Sequence, residues 1–506
     1  MAINLDSLDW SRCRYRPFDH QIIGVRALIK NKVFAILDEM GSGKTKTIID
    51  AACFLYEAKE IDTVLIISPA QVKDVWAHPG YSQIVEHSFV KGIITEFNSK
   101  TTEFPSKNKG LLWIVVSVEL LRQEKHVAFL LRLLKERKFW CIVDESSTIS
   151  NHKASQTYGV FTVAPKASRR TILNGSPIGQ SPLGLWAQFA FLDKAILGFK
   201  TFYAFRNAHA VMGGYLNKQV TQFQHIELLQ NKIKPYALRR LKKDCLDILP
   251  KMRQPLIEVK LKENTWEKYV QMREEFVTYV GSYDNASVVS AAPIKALRLA
   301  QICSGFLGGV INSEDETSEP ITVEVGCELT QKFLDNLAFR LESEPNYKLI
   351  VWCRFRPEIA RLEKMMKNNF PKMTVKVLQG GMSRIEKDEA KTMFHPDAPD
   401  IIGPATLIGQ PQAGRFGSNF TKCSNVDYLS NDYSILTRSQ SEDRVHRPGQ
   451  TQQTWFQDYV VVGPNRERTI SGIILKALRQ GEQMSEWVCS KWVDEIMQKE
   501  SDDIPF

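Results

Sequence analysis

The chain has no C-x-x-C pair. Its nine cysteines, Cys13, Cys53, Cys141, Cys245, Cys303, Cys327, Cys353, Cys423 and Cys489, lie at least 24 residues apart. That spacing excludes zinc fingers, zinc ribbons and dithiol redox sites. An odd count, with no signal-peptide pattern in MAINLDSLDW, leads to an expectation of a reducing cytoplasm. No apolar run reaches the length needed to span a bilayer, so no membrane partner is expected. Low-complexity repeats are absent. Charge of one sign is scarce too: 66 basic against 57 acidic residues leaves only +9. Such an excess permits a nucleic-acid partner without demanding one. What is present is 506 residues of ordinary globular composition, 43% hydrophobic and 24% charged. At about 150 residues per domain this predicts three units, or two large ones with insertions.

Short apolar runs predict buried parallel strands at Val33–Leu37, Thr63–Ile67, Leu112–Val116, Trp140–Val143 and Thr171–Leu173. Helical stretches such as Thr45–Ala58 and Leu120–Glu136 separate them. The pattern returns at Lys348–Trp352, Thr374–Leu378, Ala405–Ile408, Val426–Leu429 and Phe456–Val462. Alternating strands and helices predict an α/β fold with two doubly wound parallel sheets. Residues 190–300 read as helical and basic, and Asn231–Arg253 holds eight basic residues against two acidic ones. Asn312–Glu319 reads as an exposed acidic loop.

The first predicted strand runs into Asp38-Glu39-Met40-Gly41-Ser42-Gly43-Lys44-Thr45, and a helix follows. Strand, glycine loop and helix form the context of a phosphate-binding loop. Glycines let backbone N–H groups close around phosphates, and the helix N-terminus adds a favourable dipole. Lys44 would reach the β- and γ-phosphates and the Thr45 hydroxyl would ligate magnesium. The leading glycine of G-x-x-x-x-G-K-T is missing, and a plain glycine turn is the alternative. A second element raises the case: Trp140–Val143 ends in Asp144-Glu145. A strand ending in two carboxylates suits ion positioning by Asp144 and polarisation of the attacking water by Glu145.

At these residues the chain resembles the Swi/Snf class of superfamily 2 helicase-type motors, over roughly residues 14–480. Arg16-Pro17-Phe18 with Gln21 and Gly24 is similar to the class's adenine-reading element, and residues 38–45 to its D-E-M-G-x-G-K-T. Ser68-Pro69 with Trp76 resembles a DNA-backbone motif, and Ser117 stands at a further phosphate contact. Asn174-Gly175-Ser176-Pro177 with Leu185-Trp186 resembles T-G-T-P…L-W, and Leu238–Asp244 the basic element between the lobes. Later come Val351–Phe355, Gln379–Ser383, Gly414–Thr421 and Gln440–Gln450; the last is similar to Q-A-x-D-R-x-x-R-x-G-Q. Two departures stand out. Asp144-Glu145-Ser146-Ser147 replaces D-E-A-H or D-E-G-H, and Gln410–Ala413 replaces S-T-R-A. Ser147 stands where the resemblance implies a histidine that links hydrolysis to the DNA-side motifs, so a weaker or rerouted coupling is expected.

The resemblance implies two tandem RecA-like doubly wound lobes with helical insertions, and ATP with Mg2+ as cofactors. It implies a first lobe at 1–250 with an insertion near 195–235, and a helical linker at 251–325. A second lobe at 326–480 and a helix with acidic tail at 481–506 follow. Lys44, Asp144, Glu145, Arg444 and Arg447 would be catalytic, with Thr45 and Asp144 at the magnesium ion. Arg444 and Arg447, three apart, would share one helical turn as arginine fingers and act on lobe closure. Arg16, Gln21, Met40, Gly41, Ser42, Gly43, Lys44, Thr45, Lys46 and Gln440 would hold the nucleotide. Ser68, Ser117, Ser176, Arg239, Arg240, Lys242, Lys243, Arg354, Gly380 and Thr421 would touch DNA, without reading sequence. A solvated helix face is the alternative for the basic linker.

The expected activity is ATP-dependent DNA translocation or unwinding on branched or forked DNA, with greatest resemblance to compact bacteriophage-encoded members. A nucleotide-gated DNA-binding or recruitment factor, or a duplex translocase without strand separation, is the alternative. The wedge that strand separation needs has no motif, and insertions near 195–235 and 255–310 are its candidates. A monomer in the bacterial cytoplasm is expected. Asp502-Asp503-Ile504-Pro505-Phe506 resembles the tail of bacterial single-stranded DNA-binding proteins, implying docking on host repair or replication proteins. A frayed polar terminus is the alternative.

Overall fold

The computed structural model describes residues 3–490 except 71, 79–81, 107–108, 176, 178–180, 214–218, 247–248, 283–293, 295, 311–320 and 414–417. At 219, 221, 275–282, 309–310, 321, 384 and 481–490 it describes the backbone only. Four expectations therefore lie outside the described residues: the Ser176 contact, the Gly414–Gly417 part of one motif, the Asn312–Glu319 loop and the Asp502–Phe506 peptide.

The chain divides into two compact units, Met1–Asp247 and Ile248–Gln480. The first holds strands β1 (Val33–Ile36), β2 (Thr63–Ser68), β3 (Gly92–Phe97), β4 (Leu111–Ser117), β5 (Phe139–Val143), β6 (Arg169–Leu173), β7 (Ala210–Gly213), β8 (Gln219–Phe223) and β9 (Ala237–Leu238). Seven of them form one parallel sheet in the order β3-β4-β2-β5-β6-β1-β9. Strands β2 and β5 are buried along their whole length. Parallel strands covered on both faces need such continuous apolar runs, which is why they were visible as runs in the sequence.

From β1 the chain steps leftward across this order to β2 and β3, then rightward through β4, β5, β6 and β9. Right-handed crossovers then put α2 (Lys44–Glu57) on one face and Glu124–Leu134 and Ser155–Val163 on the other, and α1 (Asp19–Lys30) packs against α2. The doubly wound prediction holds here. The insertion near 195–235 is mixed rather than helical: the antiparallel pair β7–β8 sits between helices Phe202–His209 and Ile226–Ile233.

The second unit contributes β10 (Met252–Arg253), β11 (Ile257–Lys260), β12 (Phe306–Val310), β13 (Ile321–Glu324), β14 (Lys348–Trp352), β15 (Thr374–Leu378), β16 (Ala405–Gly409), β17 (Asn425–Tyr428) and β18 (Trp455–Val462). Its parallel sheet runs β10-β18-β17-β14-β16-β15, with β11 also on β18. The stretch 251–325, read as a helical linker, carries four strands besides helix Glu263–Ser282. Pro255 separates β10 from β11 because it has no N–H for the ladder. No described helix is long and apolar enough to cross a membrane. Among cysteines with described side chains, six are buried, Cys245 is half-buried and Cys327 is exposed.

Candidate active site

The glycine loop leaves the carboxyl end of β1 and turns into α2. Gly41 and Gly43 take φ of 77° and 84°, values that suit glycine and let the chain reverse in so few residues. Gly43 caps α2, so the first N–H groups of that helix open onto the loop. Gln21 roofs it. A Cβ on Gly43 would lie 2.2 Å from Gln21 Nε2. Gln21 Nε2 donates to Gly43 O at 3.3 Å, and Gln21 Oε1 accepts from the Phe18 amide at 3.0 Å. His20 stacks on Phe18 and meets Ser42 O at 2.8 Å. The predicted adenine element is thereby fastened to the phosphate loop, with Arg16 exposed beside it.

Lys44 Nζ donates to the carbonyls of Asp38 and Glu39, at 2.7 and 3.1 Å. Burial lowers its pKa, while the nearby carboxylates of Glu145, Asp38 and Asp144 oppose that shift. The loop lysine and the two strand-end carboxylates thus share one space, although 100 residues separate them in sequence. Asp144 is fixed twice: its Oδ2 accepts the Trp76 indole N–H at 2.8 Å and its Oδ1 the Glu145 amide at 2.9 Å. Burial raises the Asp144 pKa, against the pull of Trp76, Lys44 and the Glu145 amide. Glu145 has φ of 50°, an uncommon left-handed value that turns its backbone out of the strand. Trp76 is fully buried. The sequence reading placed it within a DNA-contact motif and missed its bond to the acidic pair.

The Asp-Glu-Ser-Ser departure acquires a partner set. Ser146 Oγ donates to Gln188 Oε1 at 2.6 Å, and Asn174 Nδ2 reaches both Ser146 Oγ and Gln188 Oε1 at 3.2 Å. Gln188 Nε2 then donates to Pro177 O at 2.6 Å and Ser150 Oγ at 3.2 Å. All three side chains are buried. Beside them, a Cβ on Gly175 would fall 2.2 Å from Met40 Cγ, so Gly175 lies against the phosphate loop. The signal missed was Gln188 itself, the one polar side chain in the apolar helix Leu185–Leu192.

Several expected ligands have other engagements. Lys46, expected at the nucleotide, pairs instead with Asp50 one turn on, both buried. Arg239, Arg240 and Lys242, expected along DNA, flank the phosphate loop because β9 pairs with β1. Arg240 makes a bidentate pair with Asp38, at 3.0 and 2.5 Å, and also bonds His20 O. Arg239 donates to Leu37 O and, at 2.9 Å, to Gly175 O. The Lys242 amide donates to Glu39 Oε2 at 2.8 Å, and its side chain is buried; Lys243 is exposed. Ser68 is fully buried with its hydroxyl on Pro69 O, and lies opposite half-buried Ser117 in the sheet register.

In the second unit Arg444 and Arg447 follow helix Ile435–Glu442 rather than forming part of it, so a shared helical face is not what joins them. They meet at one acceptor instead: each donates through Nη1 to Ser418 O, at 3.4 and 3.2 Å. Burial lowers the Arg447 pKa, opposed by Asp443. Gln440 and Thr421 are buried. Gln410 explains its own departure: it accepts the Gly380 amide at 3.1 Å and donates to Arg354 O at 2.9 Å, stitching two predicted DNA-contact positions together. Arg438 is buried in a bidentate pair with Asp458, at 2.6 and 2.9 Å, over the Tyr428 ring. Its Nε donates to Glu442 at 2.8 Å. Burial acts against ionisation of Glu442, yet Arg253, Lys251 and Arg438 hold its pKa well below the usual carboxylate range.

The residues present fit a magnesium–triphosphate. Ser42 Oγ is buried in the loop without a hydrogen-bond partner, an orphan that a phosphate oxygen would satisfy. Among the described residues no three His, Cys, Asp or Glu side chains cluster as a metal cage. Magnesium at phosphates needs only one or two protein ligands, and Thr45 and Asp144 would supply them.

Fold and site define a phosphate-loop nucleotide-binding protein built on parallel sheets. The SNF2-related domain description matches residues 20–304, more than half the chain, and the chain belongs to that family. It is 24% identical over 445 residues to an uncharacterised ATP-dependent helicase of Mycoplasma genitalium, covering 87% of this chain and 39% of that protein. It is 25% identical over 454 residues to the transcription regulatory protein SNF2 of Saccharomyces cerevisiae, covering 85% of this chain and 26% of that protein. The chain thus spans at most about two-fifths of these relatives' length. Among solved structures, the Sulfolobus solfataricus SWI2/SNF2 ATPase core in complex with dsDNA is similar at 19% identity and a TM-score of 0.40, covering 96% of this chain and 99% of that one.

Proposed function

We propose that the chain is an ATP-driven DNA motor that hydrolyses ATP to move on DNA and to remodel branched or forked substrates. The observation that carries this reading is the shared space of Lys44, Asp144 and Glu145, within a family whose relatives are named ATP-dependent helicases. Lys44 would leave the Asp38 and Glu39 carbonyls for the phosphates. Asp144, oriented by Trp76, would hold the magnesium water shell. Glu145 would accept hydrogen bonding from the attacking water, and Arg444 and Arg447 would supply positive charge to the transferring phosphoryl group. Magnesium, when bound, neutralises phosphate charge. Compact bacteriophage-type members are the pattern for the branched-DNA part of this reading, and duplex tracking without strand separation is its alternative.

The test is ATPase turnover with single-stranded, duplex, forked and four-way DNA, with triplex displacement alongside. Lys44→Ala and Glu145→Gln should each lower DNA-stimulated turnover by at least about a hundredfold. Retained stimulated turnover in Lys44→Ala removes the catalytic assignment. Hydrolysis without third-strand displacement reduces the protein to a nucleotide-gated DNA-binding factor.

A further inference from the structure

The loop after the acidic pair carries His152 and Lys153 onto helix Phe202–His209 of the insertion. His152 stacks on Phe202 with centroids 3.9 Å apart, and meets Trp186 and Tyr203 edge-on at 5.9 and 6.0 Å. Trp186 is buried, and its indole N–H donates to Phe199 O at 3.3 Å. Phe202 also meets Tyr203 edge-on, at 5.8 Å, and 47% of Tyr203 remains exposed. Lys153 Nζ lies 5.5 Å and the Arg206 guanidinium 5.3 Å from the Tyr203 ring centroid. Neither cation has an ion pair among the described residues; Arg206 bonds only the neutral Asn207 amide, at 3.4 and 3.2 Å.

A half-exposed ring with two cations over it, neither in an ion pair among the described residues, suits a ligand that brings a flat face and anionic groups together. A nucleotide within a strand is that ligand: its phosphates draw the cations off the ring face and the base stacks in their place. Bases inside a duplex have both faces covered, so the ring can stack only on an unpaired one. We propose that Tyr203, Lys153 and Arg206 form a platform for an unpaired nucleotide, which gives this chain a preference for forked or single-stranded DNA over blunt duplex. The proposal rests on the motor reading above. It sets a strand contact nine residues beyond Asp144, on the same loop as the catalytic carboxylates.

The experiment measures equilibrium affinity of the full chain for a fluorescent fork and for a blunt duplex of equal length, at fixed salt. Tyr203→Ala should weaken fork binding about tenfold, as expected for one lost stacked base, and leave duplex binding within about twofold. Tyr203→Trp, which keeps a flat ring, should retain fork binding. Lys153→Ala with Arg206→Ala should weaken fork binding and flatten its salt dependence. ATP affinity, measured separately, should not move, which separates a strand nucleotide from a free one. Equal losses on fork and duplex, or no loss in Tyr203→Ala, overturn the platform while leaving the motor reading standing. A wild-type chain that binds neither DNA overturns both.

Discussion

The two units bury polar groups in different ways. At the strand ends of the first, Ser146, Asn174 and Gln188 form a neutral triangle of hydroxyl and amide groups. In the second, Arg438, Asp458 and Glu442 form an ionic knot that reaches Lys251 and Arg253 and lies just ahead of Arg444. A neutral hydrogen bond contributes about 1 kcal/mol net and can be remade when a neighbour shifts. Breaking a buried ion pair costs about 3–5 kcal/mol, because it strands a charge. The first arrangement can be remade when its surroundings shift. The second holds the segment that leads into Arg444 in one geometry.

Four outcomes would sharpen or break that contrast. The largest is for Arg438→Met, which leaves Asp458 and Glu442 without their central cation. It should destabilise the second unit by about 3–5 kcal/mol, read as lost hydrogen-exchange protection in β17 and β18. Protection in β2 and β5 should be unchanged.

Next is the pH response of the second unit. Burial pushes the Glu358 pKa up to about 7 despite its hydrogen bond from Ser430 at 2.6 Å. The folded state therefore binds a proton that the unfolded chain, near pKa 4.5, gives up. The carboxyl costs nothing below pH 4.5, and stability falls as pH rises to about 7. Glu358→Gln should remove that slope, gaining up to about 3 kcal/mol on wild type between the two limits. Calorimetry across this range checks it; parallel curves would contradict the raised pKa.

Third, Gln188→Leu should destabilise the first unit by about 2 kcal/mol, since buried partners are left unsatisfied. Because the triangle is uncharged, the loss should be the same at pH 5 and pH 9, and a strong pH dependence would undo the contrast. The smallest effect belongs to Arg253→Ala. Its side chain is 38% exposed, and Glu442 keeps two other cations. A loss below about 1 kcal/mol that shrinks with added salt is expected from thermal melts.

The sequence showed the elements whose physics is local. Runs such as Thr63–Ile67 and Lys348–Trp352 stand where strands form, because buried parallel strands must be continuously apolar. β3 escaped because it is a half-exposed edge strand, and β10 because two residues carry no period. The glycine loop and the acidic pair were legible as patterns. Their supports were not. Trp76 finds Asp144 across 68 positions and Gln188 finds Ser146 across 42, and only tertiary packing sets such pairings. Counting basic residues likewise cannot tell Arg240, fastened to Asp38, from exposed Lys243.

Cys327 gives the molecule a practical handle. It caps helix Glu328–Ser343 in the second unit and is exposed, whereas Cys141, Cys303, Cys353 and Cys423 are buried with thiol pKa values pushed up by that burial. Maleimide chemistry requires both access and thiolate, so with Cys489 replaced by serine a dye should settle chiefly at position 327. A labelled second unit and a labelled DNA end would then test the proposed movement one molecule at a time.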